Sequence, residues 1–185
     1  IDGVFHAAGI GGGGVVLRTD RAEAAGTLAP KTIGTRVLEE LFAADPPDVL
    51  VLCSSLSSVI GIAGQVDYCA ANAYLDAFAQ RYADDTGSRV VSIGWSRWSE
   101  VGMAVDYFRE KGLTAPRGGI TNRQGIELLQ RVLGSEAGVH VVVSKEDLPI
   151  GTGSEIAERA PSTLARSGHA RPELATEFVA PRDAS

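Results

Sequence analysis

The chain has 185 residues, 44% of them apolar and 22% charged, which suits one folded domain and excludes a disordered or collagen-like polymer. Seventeen basic against 23 acidic residues leave a formal charge of −6, which argues against a nucleic-acid or anionic-membrane surface. No apolar run reaches the ~20 residues of a membrane span, no leader pattern opens the chain, and Cys53 and Cys69 form no CxxC or disulfide framework, so a cytoplasmic, reduced setting is expected.

The chain opens on Ile1 and its one methionine is Met103, so a piece of a longer protein or a processed chain is expected. Ile1 to Ala7 reads as a short strand, and the glycines from Gly9 to Gly14 as a loop. Asp20 and Glu23 make a capping box that opens a helix. Pro30 is expected to interrupt or kink it. Beyond, Gly34, Val37, Leu38, Leu41 and Phe42 recur at the spacing of a core-facing stripe, and Asp45-Pro46-Pro47 stops the helix.

Val49 to Cys53 is apolar without alternation, as in a strand buried on both faces of a parallel sheet. A serine-rich turn, Ser54 to Ser58, leads to an alanine-rich helix from about Gln65 to Asp85, which Gly87 stops. Val90 to Ile93 forms a third strand. The stretch from Gly94 to Gly119 holds both tryptophans and reads as a long loop with a short helix. Thr121 and Gln124 form a second capping box, with Ile126, Leu129 and Leu133 on one face of its helix, and Val139 to Val143 is a fourth strand. This alternation predicts an α/β fold, a Rossmann-like parallel sheet with flanking helices. Residues 146–185, with Pro149, Pro161, Pro172 and Pro181, read as a surface tail or interdomain linker.

Tyr68 and Asn72 stand one turn apart on the same helical face. A phenol there can protonate a carbonyl oxygen if a nearby cation favours the phenolate, and Lys31, which lines up with Gly34, Leu38 and Leu41 at the start of the core-facing stripe, is a candidate for that cation. Ser55 sits at the carboxyl end of the buried strand, where open parallel sheets place their ligands. Taken singly, each has a plainer reading: a packed tyrosine, a snorkelling lysine, a serine turn, a structural asparagine. His6, His140 and His169 are too scattered for a metal site. Asp67 reads as an exposed helix carboxylate, and Cys53 and Cys69 as buried thiols with no evident cationic partner.

Taken together, four segments carry a resemblance: His6-Ala7-Ala8-Gly9, Ala29-Pro30-Lys31, Cys53-Ser54-Ser55, and the run Gly64-Gln65-Val66-Asp67-Tyr68-Cys69-Ala70-Ala71-Asn72-Ala73-Tyr74-Leu75-Asp76. From residue 1 to about 145 the chain closely resembles the catalytic half of a ketoreductase domain of a modular polyketide synthase, in the short-chain dehydrogenase/reductase superfamily. Most of that superfamily has Tyr-x-x-x-Lys. Here Asn72 takes the last position and the lysine comes earlier, as in the ketoreductases of polyketide and fatty-acid synthases.

The resemblance implies NADPH-dependent reduction of a β-ketoacyl thioester held on an acyl carrier protein. Tyr68 would be the general acid, Ser55 would bind the substrate carbonyl, Lys31 would lower the tyrosine pKa and bind nicotinamide ribose, and Asn72 would support the proton relay. Ala7, Ala8, Gly9, Ser54, Gly102 and Met103 would join Lys31 and Tyr68 around the cofactor. Residues 146–185 would lead toward a carrier-protein domain, and the other synthase domains would be further partners.

Two departures are informative. Gly11-Gly12-Gly13 stands where one stereochemical class has Leu-Asp-Asp, and Ile60 where the other has tryptophan, so no product configuration is assigned. The strand, Gly-x-Gly-x-x-Gly and helix that open a dinucleotide fold do not follow one another here, and the glycine run is expected to precede a loop. The N-terminal strands of the full domain are therefore expected to be absent. That leaves two alternatives: a non-catalytic scaffold or half-domain, inactive without its nucleotide-binding part, and a short-chain dehydrogenase acting on a free small ketone.

Overall fold

The computed structural model describes residues 1–14, 16–145 and 147–148. Four strands, β1 (Gly3–His6), β2 (Val49–Ser55), β3 (Arg89–Trp95) and β4 (His140–Val143), pair in parallel in the order β1-β2-β3-β4. Each crossover contains helices: α1 (Arg21–Leu41) after β1, α2 (Ser57–Ile60) and α3 (Val66–Thr86) after β2, α4 (Met103–Glu110) and α5 (Asn122–Leu133) after β3. Side chains on neighbouring strand positions point to opposite faces. Leu50 and Leu52 therefore join Leu75, Phe78, Ala79 and Tyr82 of α3 on one side. Val51 joins Val91, Ile93, Val132 and Val143 on the other. The expected α/β sheet is present, and the 146–185 tail lies outside the described residues apart from Asp147 and Leu148.

The local signals hold. Asp20 and Thr121 each accept from the N–H three residues on, with Glu23 and Gln124 returning the bond. Gly87 ends α3 in the left-handed region at φ 69°, its N–H bonded to the Ala83 carbonyl.

Two expectations fail. First, α1 runs unbroken through Pro30. Pro30 leaves the Gly26 carbonyl without its helical donor, but the hydroxyls of Thr27, Thr32 and Thr35 each bond the carbonyl four residues back and bind the turns on both sides. Second, the stripes are rotated. In α1 Lys31 is buried, as its place on the stripe predicts, but its buried companions are Thr27 and Thr35, while Val37 and Leu41 are exposed with Ile33. In α5 Leu129 and Leu133 pack against the core as expected, but Ile126 is exposed, and Gly125 and Val132 are buried. The reason in α1 is a polar one: Lys31 finds a hydrogen-bond acceptor inside, at β2. In α5 a ring packs against Gly125, as described below.

Candidate active site

A cleft of about 300 Å³ opens at the carboxyl ends of the strands, where parallel sheets place their ligands. Ala7 and Gly9 follow β1, Cys53 and Ser54 end β2, and Trp95 ends β3. The loop after β3 adds Trp98, Val101 and Gly102, and α4 adds Met103. Lys31 reaches in from α1 and Tyr68 from α3.

Lys31 is only 3% exposed. Its Nζ donates to the Cys53 carbonyl at 2.8 Å. Burial pushes its pKa below the usual lysine value, while the Cys53 thiol and the Asp76 carboxylate pull it back up. Asp76 is itself held in place, accepting from Ser92 Oγ at 2.6 Å and facing His140 Nε2 at 3.5 Å. Gly9 backs the lysine closely, since a Cβ there would stand 3.4 Å from Lys31 Cε. Cys53 corrects its expected description. Its thiol is half-buried and does have a cationic neighbour, Lys31, although burial is the larger influence and raises its pKa. Cys69 is half-buried too.

Tyr68 lies in the first turn of α3. Its N–H donates to Asp67 Oδ1 at 2.8 Å, and its carbonyl accepts from Asn72 Nδ2 at 2.7 Å. Asn72 is fully buried, and its own carbonyl accepts from Ser54 Oγ at 3.3 Å. Ser55 Oγ accepts the Ser57 N–H at 3.2 Å. Of the four expected residues, Lys31 and Tyr68 line the cleft, whereas Asn72 and Ser55 are not in its lining. Ala8 is exposed outside it, while Ala7, Gly9, Ser54, Gly102 and Met103 all line it.

Asp67 also departs from expectation: it is 8% exposed, not a solvated carboxylate. The glycine run covers it. A Cβ on Gly12 would fall 2.5 Å from Asp67 Oδ1, and the Gly14 N–H bonds the Gly64 carbonyl at 2.8 Å. Gly9, Gly11 and Gly14 do stand at Gly-x-Gly-x-x-Gly spacing, but α1 starts only at Arg21 with its cap at Asp20. No helix N-terminus therefore meets the run.

Trp95, Trp98 and Val101, in the stretch from Gly94 read as a long loop but outside the expected cofactor set, line the cleft as well. Trp95 and Trp98 pack edge to face at 5.2 Å, and Trp98 lies over Gly125 so closely that a Cβ there would overlap the indole. Gly125→Ala is expected to destabilise the fold by about 1–3 kcal/mol through overpacking, despite the ~1 kcal/mol that alanine adds to a helix. Urea unfolding measures it. An unchanged midpoint would show that Trp98 does not rest on Gly125. Among the described residues, no group of three His, Cys, Asp or Glu side chains is placed to hold a metal ion, and no helix is long and apolar enough to cross a membrane.

Residues 1–100, more than half of the chain, match the family model described as KR domain. The chain belongs to the KR domain family. Polyketide synthase PksN of Bacillus subtilis (strain 168) is 35% identical over 150 residues, 77% of this KR chain and 3% of PksN. Polyketide synthase GfsA of Streptomyces halstedii is 43% identical over 100 residues, 54% of this chain and 1% of GfsA. A solved A1-type ketoreductase is 30% identical with a TM-score of 0.69, covering 78% of this chain and 30% of that one. The expected family, ketoreductases of modular polyketide synthases within the short-chain dehydrogenase/reductase superfamily, is thus borne out, as is the Rossmann-like fold. This KR chain spans about 30% of the solved ketoreductase and a few per cent of the synthases it matches.

Proposed function

We propose that this KR chain carries the proton-delivery chemistry of a β-ketoacyl reductase, in which NADPH reduces a β-ketoacyl thioester on an acyl carrier protein to the β-hydroxyacyl thioester during polyketide synthesis. The observation that carries the reading is the meeting of the Lys31 ammonium and Tyr68 in one cleft at the strands' carboxyl ends. Gly9 supports a cofactor there, because the missing Cβ leaves room beside Lys31 Cε. Ala7, Gly9, Lys31, Tyr68, Gly102 and Met103 would hold the nicotinamide end. When bound, NADPH supplies the hydride.

Tyr68 gives its phenolic proton to the ketone oxygen as that oxygen gains charge. The Lys31 ammonium stabilises the phenolate left behind and bonds the ribose. Ser55 lies outside the cleft lining; its Oγ accepts from the Ser57 N–H, which leaves its own O–H to donate to a substrate carbonyl held at the cleft's edge. Asn72 acts behind Tyr68, tying it to Ser54 through its side chain and carbonyl. NADPH oxidation by the synthase, compared on a carrier-bound β-ketoacyl thioester and on a free small ketone, tests the reading. Turnover of the carrier-bound substrate alone is expected. Equal turnover of the free ketone favours a dehydrogenase of small molecules, and no oxidation of NADPH with either substrate removes the reductase reading.

A further inference from the structure

We propose that His6 is the positioning residue for Lys31: its buried imidazole, braced between the Pro30 backbone and Gly34, fixes the turn of α1 that delivers the ammonium to the cleft. The inference rests on the reading above only where it concerns turnover.

His6 is the last residue of β1, opposite Leu52 and one step before Ala7 of the cleft. It is 7% exposed, and its Nε2 is buried with no partner among the described residues. Burying an imidazole with one nitrogen unpaired opposes folding, so neither surface placement nor a full set of hydrogen bonds accounts for it. What surrounds the ring does. The Pro30 backbone faces it closely enough to act on its protonation, and because proline has no N–H that group is the carbonyl. One turn on, Gly34 faces the same ring: a Cβ there would stand 3.4 Å from His6 Cε1 and 3.6 Å from Nε2, in ordinary contact, so only a larger side chain would push the imidazole aside.

Pro30 and Gly34 bracket Lys31 in sequence, and the ring therefore grips α1 on both sides of the lysine. Burial first, and the Lys31 ammonium second, keep the His6 pKa below the usual imidazole value, so the ring adds no second positive charge. The charged or titratable groups that act on Lys31 from the elements packed around it are then Cys53 of β2 and Asp76 of α3.

The chain has three lysines, and Lys111 and Lys145 are exposed, so ammonium NMR of the ¹⁵N-lysine-labelled chain isolates Lys31. The wild type should show one slowly exchanging Nζ signal. In His6→Phe, which keeps a ring but has no N–H, exchange should quicken by ~10-fold or more. One of His6→Asn and His6→Gln, which retain a donor at shorter or longer reach, should restore the slow signal. Gly34→Val, whose branches reach beyond that contact into the ring, should quicken exchange in the wild-type background and not in His6→Ala, the coupling expected of two groups in contact. No slow signal in the wild type, unchanged exchange in His6→Phe, or equal action of Gly34→Val in both backgrounds overturns the proposal. If His6→Phe does not fold, the Gly34 pair decides. A loosened Lys31 with unchanged NADPH-dependent turnover would instead overturn the role of Lys31 in reduction and leave the hold of His6 standing.

Discussion

Tyr68→Phe is expected to cut ketone reduction in the synthase by ~10²–10⁴-fold, the usual loss when a general acid is removed, while leaving NADPH affinity unchanged. The substitution isolates the phenol because the local contacts of Tyr68 run through its main chain. Asp67 accepts its backbone N–H, and its carbonyl accepts from Asn72 Nδ2. Neither bond involves the hydroxyl, and the ring that packs in the cleft is retained. Folding stability should therefore stay within about 0.5 kcal/mol. Single-turnover NADPH oxidation and a fluorescence titration measure the two quantities side by side. Retained turnover takes Tyr68 out of proton delivery, and lost NADPH binding would mean that the phenol grips the cofactor.

Lys31→Met should separate activity from stability. Turnover is expected to fall ~10²-fold or more, since a phenol with no adjacent ammonium is a poor proton donor at neutral pH. Stability should move with pH in a defined sense. Burial lowers the folded-state pKa of Lys31 below the ordinary value of 10.5, so between the two values the unfolded chain binds more protons than the folded one. Stability then rises with pH across that window. The wild type should gain on Lys31→Met as pH increases toward 10.5, and the difference should be constant well below the lowered value. Urea midpoints of both chains at a series of pH values measure it. A difference that is flat throughout would show that the ammonium is solvated, against its position at the Cys53 carbonyl.

Features set by a few consecutive residues were legible without coordinates. The capping boxes at Asp20 and Thr121, the Gly87 stop and the apolar run of β2 depend on hydrogen bonds and sterics within one turn or one strand, and they formed as the sequence indicates. The joint spacing of Lys31, Ser55, Tyr68 and Asn72 was equally legible, and it pointed to the family before any fold was known. Periodicity misled where it had to choose a face. The α1 stripe placed Lys31 inward, as found, but Val37 and Leu41 on it are exposed, and the less apolar Thr27 and Thr35 are buried.

The tertiary structure decided that choice, because a buried polar group is tolerated where acceptors lie within reach, and the acceptor of Lys31 comes from 22 residues away. The same holds for Asp67 beneath Gly12, His6 beside Gly34 and Trp98 upon Gly125. Each is a contact between segments distant in the chain, and at Gly12 and Gly125 the missing Cβ of the glycine is the deciding volume. Local sequence determined which elements form and which chemical groups are available. Only the packing of α1, α3, α5 and the strands determined which of those groups are desolvated, as Lys31 is, and which of them face one cleft, as Lys31 and Tyr68 do.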